Sequence, residues 1–323
     1  MNLRFTKKVL NILLSLGILG ALVLGVTHAQ ALEDWVKLRG YSAPTSVAQL
    51  AAEDTMTPLA THIFYVNHPV LESDVVAFRH NCAQSEQTIV LGCYHSAQNG
   101  IEIYNVKDTR LDGVQEVTAA HEMLHAAYDR LSSKDRQNVD NMLQDFYQHS
   151  LSDQRIKDTI DSYKKSEPND VVNEMHSVFG TEVSSLPAPL ENYYKKYFTN
   201  RAAVTAFADN YEAEFTSRTN QINADDAQLA AMKAQIQADE QSLDAQLAQL
   251  QANRVRIEHS GSNAEIAQYN AQVSAYNSGV KHLQNEISAY NVLVEQRNAI
   301  AAELRSLQGS LDTRLTAQTQ TTR

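Results

Sequence analysis

The chain has 323 residues, with 27 basic and 38 acidic side chains and a formal net charge of −11. Three of the basic residues and none of the acidic ones fall in residues 1–31, so the remainder carries 24 basic against 38 acidic residues, a net charge of −14. Because no basic tract interrupts this acidic composition, nucleic acid and anionic lipid surfaces are poor candidate partners.

The first 31 residues have the pattern of an export segment. Arg4, Lys7 and Lys8 precede an apolar run from Val9 to Val26, and Ala29-Gln30-Ala31 is a small-x-small cleavage site. The apolar run is also just long enough to span a bilayer, so a cleaved signal peptide (1–31) and a retained membrane anchor (9–26) both stay open. In either case the basic end is expected to stay inside, and the rest of the chain is predicted to be extracytoplasmic.

Cys82 and Cys93 are the two cysteines of the chain. In an exported protein, two cysteines at this short separation predict a disulfide, which stabilises the fold by about 3 kcal/mol for a loop of this size. Their spacing fits no zinc knuckle, so a metal-binding role is not expected.

Residues 32–200 are predicted to form one compact domain of ordinary size that mixes helices with a small antiparallel sheet. The predicted strands are His62–His68 and a hairpin of Thr88–His95 with Ile101–Val106, whose connection contains Asn99-Gly100. Apart from the two helices discussed below, the predicted helices are 46–56, 73–81, 133–149 with Ser132 as its cap, 153–165 and 190–198.

The pentapeptide His121-Glu122-Met123-Leu124-His125 lies inside a predicted helix, for which Asp112 is the expected N-cap. A spacing of four places both imidazoles on one helix face, where they can bind one metal ion. Zinc held by three protein ligands keeps a position for water, and a neighbouring carboxylate can take the proton of that water. The motif therefore predicts His121 and His125 as zinc ligands and Glu122 as a general base.

This motif resembles that of the HExxH zinc metallopeptidases. The version with a third histidine six residues further on is excluded, because Leu131 stands at that position. In the glutamate-zincin (gluzincin) type the third ligand comes from a later helix, often within an Asn-Glu pair, and Asn173-Glu174 matches that pattern. The resemblance implies Glu174 as the third ligand, with His176 and Glu182 as alternatives.

The resemblance carries further implications. Families of this type often have an acidic residue four positions after the third ligand, where this chain has Val178, so the partner of Glu174 stays unassigned. A strand near the motif helix commonly pairs with the substrate backbone, which would give the 88–106 hairpin that role. The chain also resembles a group of exported bacterial proteins with a C-terminal coiled coil.

The composition changes after Asn200, where glycine and proline nearly vanish. From Phe215 to Ile257 an apolar residue recurs at every seventh position, but Asp225, Asp239 and Gln246 interrupt the companion seam. The pattern breaks at 259–263 and then resumes until Leu304. Residues 201–309 are therefore predicted to form an antiparallel coiled-coil hairpin, with a disordered tail at 310–323. Because polar residues interrupt the apolar seam of the first helix, that helix is expected to need contacts beyond its partner helix, through dimerisation or docking onto the first domain.

The sequence as a whole predicts an α+β protein that is mainly α, with a zincin-like domain followed by a helical hairpin. The leading functional hypothesis is an exported zinc-dependent endopeptidase that acts on protein or peptide substrates and contacts the membrane through its N-terminal segment if that segment is retained. The alternative is a non-catalytic surface or periplasmic interaction protein whose coiled coil binds a partner or a second copy. In that case the HExxH motif is vestigial or holds a structural metal.

Overall fold

A computed structural model of the chain describes residues 29–82, 89–96 and 100–314. These residues are mainly helical, with one small sheet and two long C-terminal helices. They form two compact units, of which one contains the chain up to Asn210 and from Asp312 onward, and the other is Tyr211–Leu311. No helix in the described part of the chain combines the length and the apolar content needed to cross a membrane. The predicted apolar run at 9–26 lies outside the described residues.

The first unit contains short helices around one small sheet. The helices are α1 (Ala29–Leu38), α2 (Thr45–Glu53), α3 (Pro58–Val66), α4 (Val75–Asn81), α5 (Val114–Asp129), α6 (Ser133–His149), α7 (Gln154–Ser166), α8 (Val171–Glu182) and α9 (Ala188–Tyr194). The strands are β1 (Val70–Glu72), β2 (Gly92–His95) and β3 (Gly100–Tyr104), in the order β1-β3-β2.

The predicted hairpin is confirmed, because β2 pairs antiparallel with β3 and places Cys93 opposite Glu102. The prediction of a purely antiparallel sheet is wrong. Strand β1, which the sequence pattern did not indicate, pairs parallel with β3 and places Val70 opposite Glu102. The sheet is therefore mixed, with β3 in its centre and β2 at one edge.

Residues 62–68 do not form the predicted strand. Thr57 precedes α3, and its hydroxyl accepts a hydrogen bond from the backbone N–H of Ala60 at 3.2 Å. Pro58 occupies the first helical position, where its fixed φ favours a helix. Phe64 and Val66 are completely buried in this helix, so tertiary packing overrides their preference for strands.

Helix α5 begins differently from the prediction, whereas α6 begins as predicted. Asp112 does not cap α5, because Gly113 is the N-cap and has a φ of 101°, which glycine adopts without strain. A Cβ at Gly113 would also lie 2.9 Å from the carbonyl oxygen of Phe207. At α6, the Ser132 hydroxyl accepts a hydrogen bond from the backbone N–H of Asp135 at 3.1 Å.

The predicted disulfide between Cys82 and Cys93 is present, with a Cα–Cα distance of 5.7 Å. It joins the end of α4 to β2, and both cysteines are buried beside Phe78. The edge strand β2 is thereby attached covalently to a helix, in addition to its hydrogen bonds with β3.

The second unit consists of most of α10 (Arg201–Ser260) and of α11 (Asn263–Leu311). The two helices are antiparallel: within this unit Arg218 pairs with Glu303, Arg297 with Asp226 and Asn253 with Gln272. The predicted break at 259–263 is confirmed.

One of the polar residues that interrupt the apolar seam of the hairpin faces a second acidic residue across it. The carboxyl group of Asp239 lies against that of Glu286, and burial together with this like charge raises the pKa of Glu286.

The prediction of a disordered tail is wrong for residues 310–314, since α11 extends to Leu311 and Thr313 is buried. The Thr313 hydroxyl donates to the carbonyl oxygen of Val90 at 2.7 Å. The rest of the predicted tail lies outside the described residues.

Asp54, directly after α2, is a completely buried carboxyl group. Neither of its side-chain oxygens has a hydrogen-bond partner among the described residues. Burial raises the pKa of Asp54 well above its usual value, and the nearby charges of Glu116 and Glu53 raise it further. Because the folded state binds this proton more tightly than the unfolded state, the contribution of Asp54 to stability falls as the pH rises towards its folded pKa.

We expect the substitution Asp54→Asn to stabilise the protein at neutral pH, because the amide removes the cost of protonating a buried carboxyl group. The free energy of unfolding of the variant should exceed that of the native chain by an amount that grows with pH. The growth should be up to about 1.4 kcal/mol for each pH unit above the unfolded-state pKa of about 4. Urea unfolding at pH 5 and pH 7 measures it. Asp158→Asn, at an exposed position on α7, is the control and should show no such growth. A constant difference for Asp54→Asn would contradict the prediction.

Candidate metal centre

Helices α5 and α8 pack closely, and this contact positions the candidate metal ligands. Gly180 lies on α8 opposite Leu124 of α5. A Cβ atom at position 180 would lie only 2.4 Å from Leu124 Cδ1, so this position has no room for a side chain. Gly180 therefore lets the two helices approach closely at Leu124, and Glu174, near the start of α8, lies against the face of α5 that carries both histidines.

His121, His125 and Glu174 meet at this contact. The two histidine Nε2 atoms lie 3.0 Å apart. Glu174 Oε1 lies 3.4 Å from His125 Nε2, and Glu174 Oε2 lies 3.6 Å from His121 Nε2. Bonds of about 2.0–2.2 Å from a tetrahedral zinc ion place its ligand atoms roughly 3.3–3.6 Å apart. The three side chains are thus spaced closely enough to bind one ion.

The chemistry of the donor set also fits zinc, because two imidazoles and a carboxylate are a common set of three protein ligands. The side chain of Glu174 is only 7% exposed, and its Oε2 atom has no hydrogen-bond partner among the described residues. A buried carboxylate without such a partner is costly unless a positive charge lies beside it. A cation at the centre of the three ligands would meet that requirement.

The environment of Glu174 favours its ionised form. Burial by itself raises the pKa of this carboxyl group, but His125 and His121 more than offset that effect. The hydroxyl of Tyr163 on α7 also interacts with the carboxylate and lowers its pKa. The positive charge of protonated imidazoles causes this lowering of the Glu174 pKa. Because an imidazole must be neutral to bind a metal, a bound cation would supply that positive charge in place of the two histidines.

The two alternative third ligands have other partners. His176 is completely buried, and its Nε2 lies 2.8 Å from the hydroxyl of Tyr193. Burial lowers the pKa of His176 to about 3, which keeps the imidazole neutral. Glu182 forms an ion pair with Arg155 at 2.6 Å. Of the three candidates, Glu174 is the one that the structure groups with His121 and His125.

Glu122 lies beside the histidines and is buried, with 6% exposure. Burial raises its pKa to about 8, and the negative charge of Glu174 adds to the increase. Strand β2 packs against Glu122 at Gly92, where a Cβ would lie 2.7 Å from Glu122 Oε1 and 2.5 Å from Thr118 Cγ2. The absence of a side chain at Gly92 therefore leaves the space that the Glu122 carboxyl group occupies.

Sequence reasoning missed several residues around the centre. Tyr163 on α7 lowers the pKa of Glu174, whereas Val178, at the position where the resemblance leads one to expect an acidic residue, is buried in the core. Glu167 and Asp170, in the α7–α8 connection, each place an oxygen within 4.8 Å of a Glu174 oxygen. Asp170 is the N-cap of α8 and lies one helical turn before Glu174, whereas Glu167 precedes that helix in the connection from α7.

No protein-family model, curated protein or solved structure matches this chain. The resemblance to gluzincins therefore depends on the HExxH and Asn-Glu residues of the chain itself.

We expect purified residues 32–323 to contain about one zinc ion per chain by elemental analysis, since three donors converge on one point. His121→Ala and Glu174→Ala should each remove most of the zinc. Glu182→Gln is the matched control, because it changes another partly buried glutamate of α8 that pairs with Arg155, and it should keep the zinc. Full zinc content in the Glu174→Ala variant would move the third ligand elsewhere.

Proposed function

We propose that the protein is an exported zinc-dependent endopeptidase. The observation that carries this proposal is the convergence of His121, His125 and Glu174, with the buried carboxyl group of Glu122 beside them. A purely structural zinc site uses four protein ligands, whereas three ligands keep a coordination position free for chemistry. The neighbouring carboxyl group is the additional element that hydrolysis requires.

The roles of the chain's own residues follow from this arrangement. Zinc would be held by His121, His125 and Glu174. When bound, zinc lowers the pKa of a water molecule and polarises a carbonyl group. Glu122 would accept the proton of the attacking water and pass it to the leaving amine. Burial raises the pKa of Glu122 to about 8, and a group that transfers protons works best when its pKa lies near the working pH.

The position of β2 supports a peptide as the substrate. Among the described strands only β3 pairs with β2, and β2 packs directly against α5 at Gly92. An extended peptide that added to the outer edge of β2 would run past Glu122 through backbone hydrogen bonds. Recognition through the backbone accommodates many sequences, which suits an endopeptidase.

Glu122→Gln should lower hydrolysis of an unstructured test protein by at least about 100-fold, the lower end of the usual contribution of a general base. Zinc content should stay unchanged, because Glu122 is not one of the three proposed ligands. Peptide release and zinc are measured on the same sample. If the variant keeps its activity, Glu122 is not the base and the proposed mechanism fails.

Gly92→Ala should reduce hydrolysis while zinc stays bound, because the new methyl group would displace the Glu122 side chain and leave the ligands in place. A displacement of about 1 Å at a catalytic group can cost roughly 100-fold in rate. Gly100→Ala, in the neighbouring strand, is the matched control, since a Cβ there meets no atom within 4 Å. Equal activities of the two variants would show that the space at Gly92 does not control Glu122.

The second candidate function is binding of a partner through the helical hairpin. Five large apolar side chains in the unit Tyr211–Leu311 are exposed, namely Leu247, Val255, Ile266, Ile287 and Val292. Apolar residues on a helical hairpin can contact another helix. In that case Glu122→Gln should leave the biological role of the protein unchanged, whereas polar substitutions at Val255 and Val292 should abolish it.

A further inference from the structure

Helix α1 exposes its apolar side. Leu32, Trp35 and Val36 are each 59% exposed, and their spacing of three and four places them on one face of the helix. The buried residue of the helix is Asp34, a charged residue with only 7% exposure. This arrangement is the reverse of an ordinary surface helix, which buries its apolar stripe and exposes its charges.

The orientation of α1 is fixed by polar contacts with the rest of the first unit. The carboxylate of Asp34 accepts two hydrogen bonds from the guanidinium of Arg130, each at 2.8 Å. His62 on α3 adds a third contact, with its Nε2 2.9 Å from Asp34 Oδ2. Turning the apolar face inward would break all three contacts, so Leu32, Trp35 and Val36 point outward because Asp34 holds the opposite side.

The preceding sequence indicates what covers this face. The apolar run that is long enough to span a bilayer ends at Val26, and only Thr27 and His28 separate it from α1. If the run is inserted in a membrane, α1 begins within a few residues of the bilayer surface. Tryptophan is enriched at that interface, and amphipathic helices lie there with their apolar face towards the acyl chains.

We propose that α1 lies in the lipid interface of the membrane in which residues 9–26 are inserted, with Leu32, Trp35 and Val36 in contact with the acyl chains. The net charge of −14 in the remainder of the chain disfavours attraction to anionic lipids, so apolar contact is the main interaction. Arg39, whose guanidinium lies 5.4 Å from the Trp35 ring centre, sits where it can reach lipid phosphate groups. Arg130 directly follows α5, so the same contact holds the end of the motif helix close to the membrane.

The chain offers a direct probe of this contact, because Trp35 is its single tryptophan. The full chain is synthesised in a cell-free system with phosphatidylcholine vesicles, where no signal peptidase removes the N-terminal segment, and its mass is verified. We expect the Trp35 emission to be shifted to the blue relative to tryptophan in water. Lipids with brominated acyl chains should quench most of the emission, whereas iodide in the aqueous phase should quench little of it.

A double variant, Leu32→Ser with Val36→Ser, weakens the apolar contact while leaving Trp35 and the Asp34–Arg130 pair in place. Quenching by brominated lipid should fall and quenching by iodide should rise. Leu59→Ser is the matched control, because Leu59 on α3 is 50% exposed and lies outside this face, and it should change neither signal. Circular dichroism verifies that all variants are folded.

Two results would overturn the proposal. If iodide quenches Trp35 and brominated lipid does not, the apolar face is in water. If neither agent quenches it, protein covers the face, and dependence of the shielding on chain concentration would identify a second copy as the cover.

Discussion

The close packing of α5 against α8 is the contact on which the candidate centre depends. His121 and His125 are fixed by their own helix, but Glu174 belongs to another helix and reaches them only if the two backbones approach. Gly180 on α8 allows this approach, because a side chain at that position would overlap Leu124. The ligand geometry is therefore a consequence of core packing, and a change of volume in that core would move a ligand.

The electrostatics of the centre depend on the same packing. Four carboxyl groups lie near the two histidines, namely those of Glu122, Glu167, Asp170 and Glu174. The histidines keep the pKa of Glu174 low, whereas burial raises that of Glu122 to about 8. Two neighbouring carboxyl groups thus differ in their tendency to hold a proton, which suits one to bind a cation and the other to transfer a proton. A divalent cation would also relieve the repulsion among the four groups.

Strand β2 and helix α1, which both contact α5, are each held in place by a specific link to another part of the first unit. The disulfide ties β2 to α4, and β2 in turn packs against Glu122 through Gly92. The partly buried ion pair of Asp34 with Arg130 connects α1 to the end of α5. The edge strand and the outward-facing helix α1 are therefore held by contacts that do not involve the candidate metal ligands.

The sequence by itself determined the features that depend on spacing within one element or between neighbouring ones. These are the two histidines on one helix face, the Ser132 cap, the β2–β3 hairpin, the disulfide and the break between the two long helices. Asn173-Glu174 was found only through a family resemblance, and its proximity to the histidines needed the fold. Tertiary structure alone decided that residues 62–68 are helical, that β1 joins the sheet in parallel, and that Tyr163 and Gly92 border the centre. The physical reason is that burial and contacts between distant residues outweigh local propensity, and a single sequence does not display those contacts.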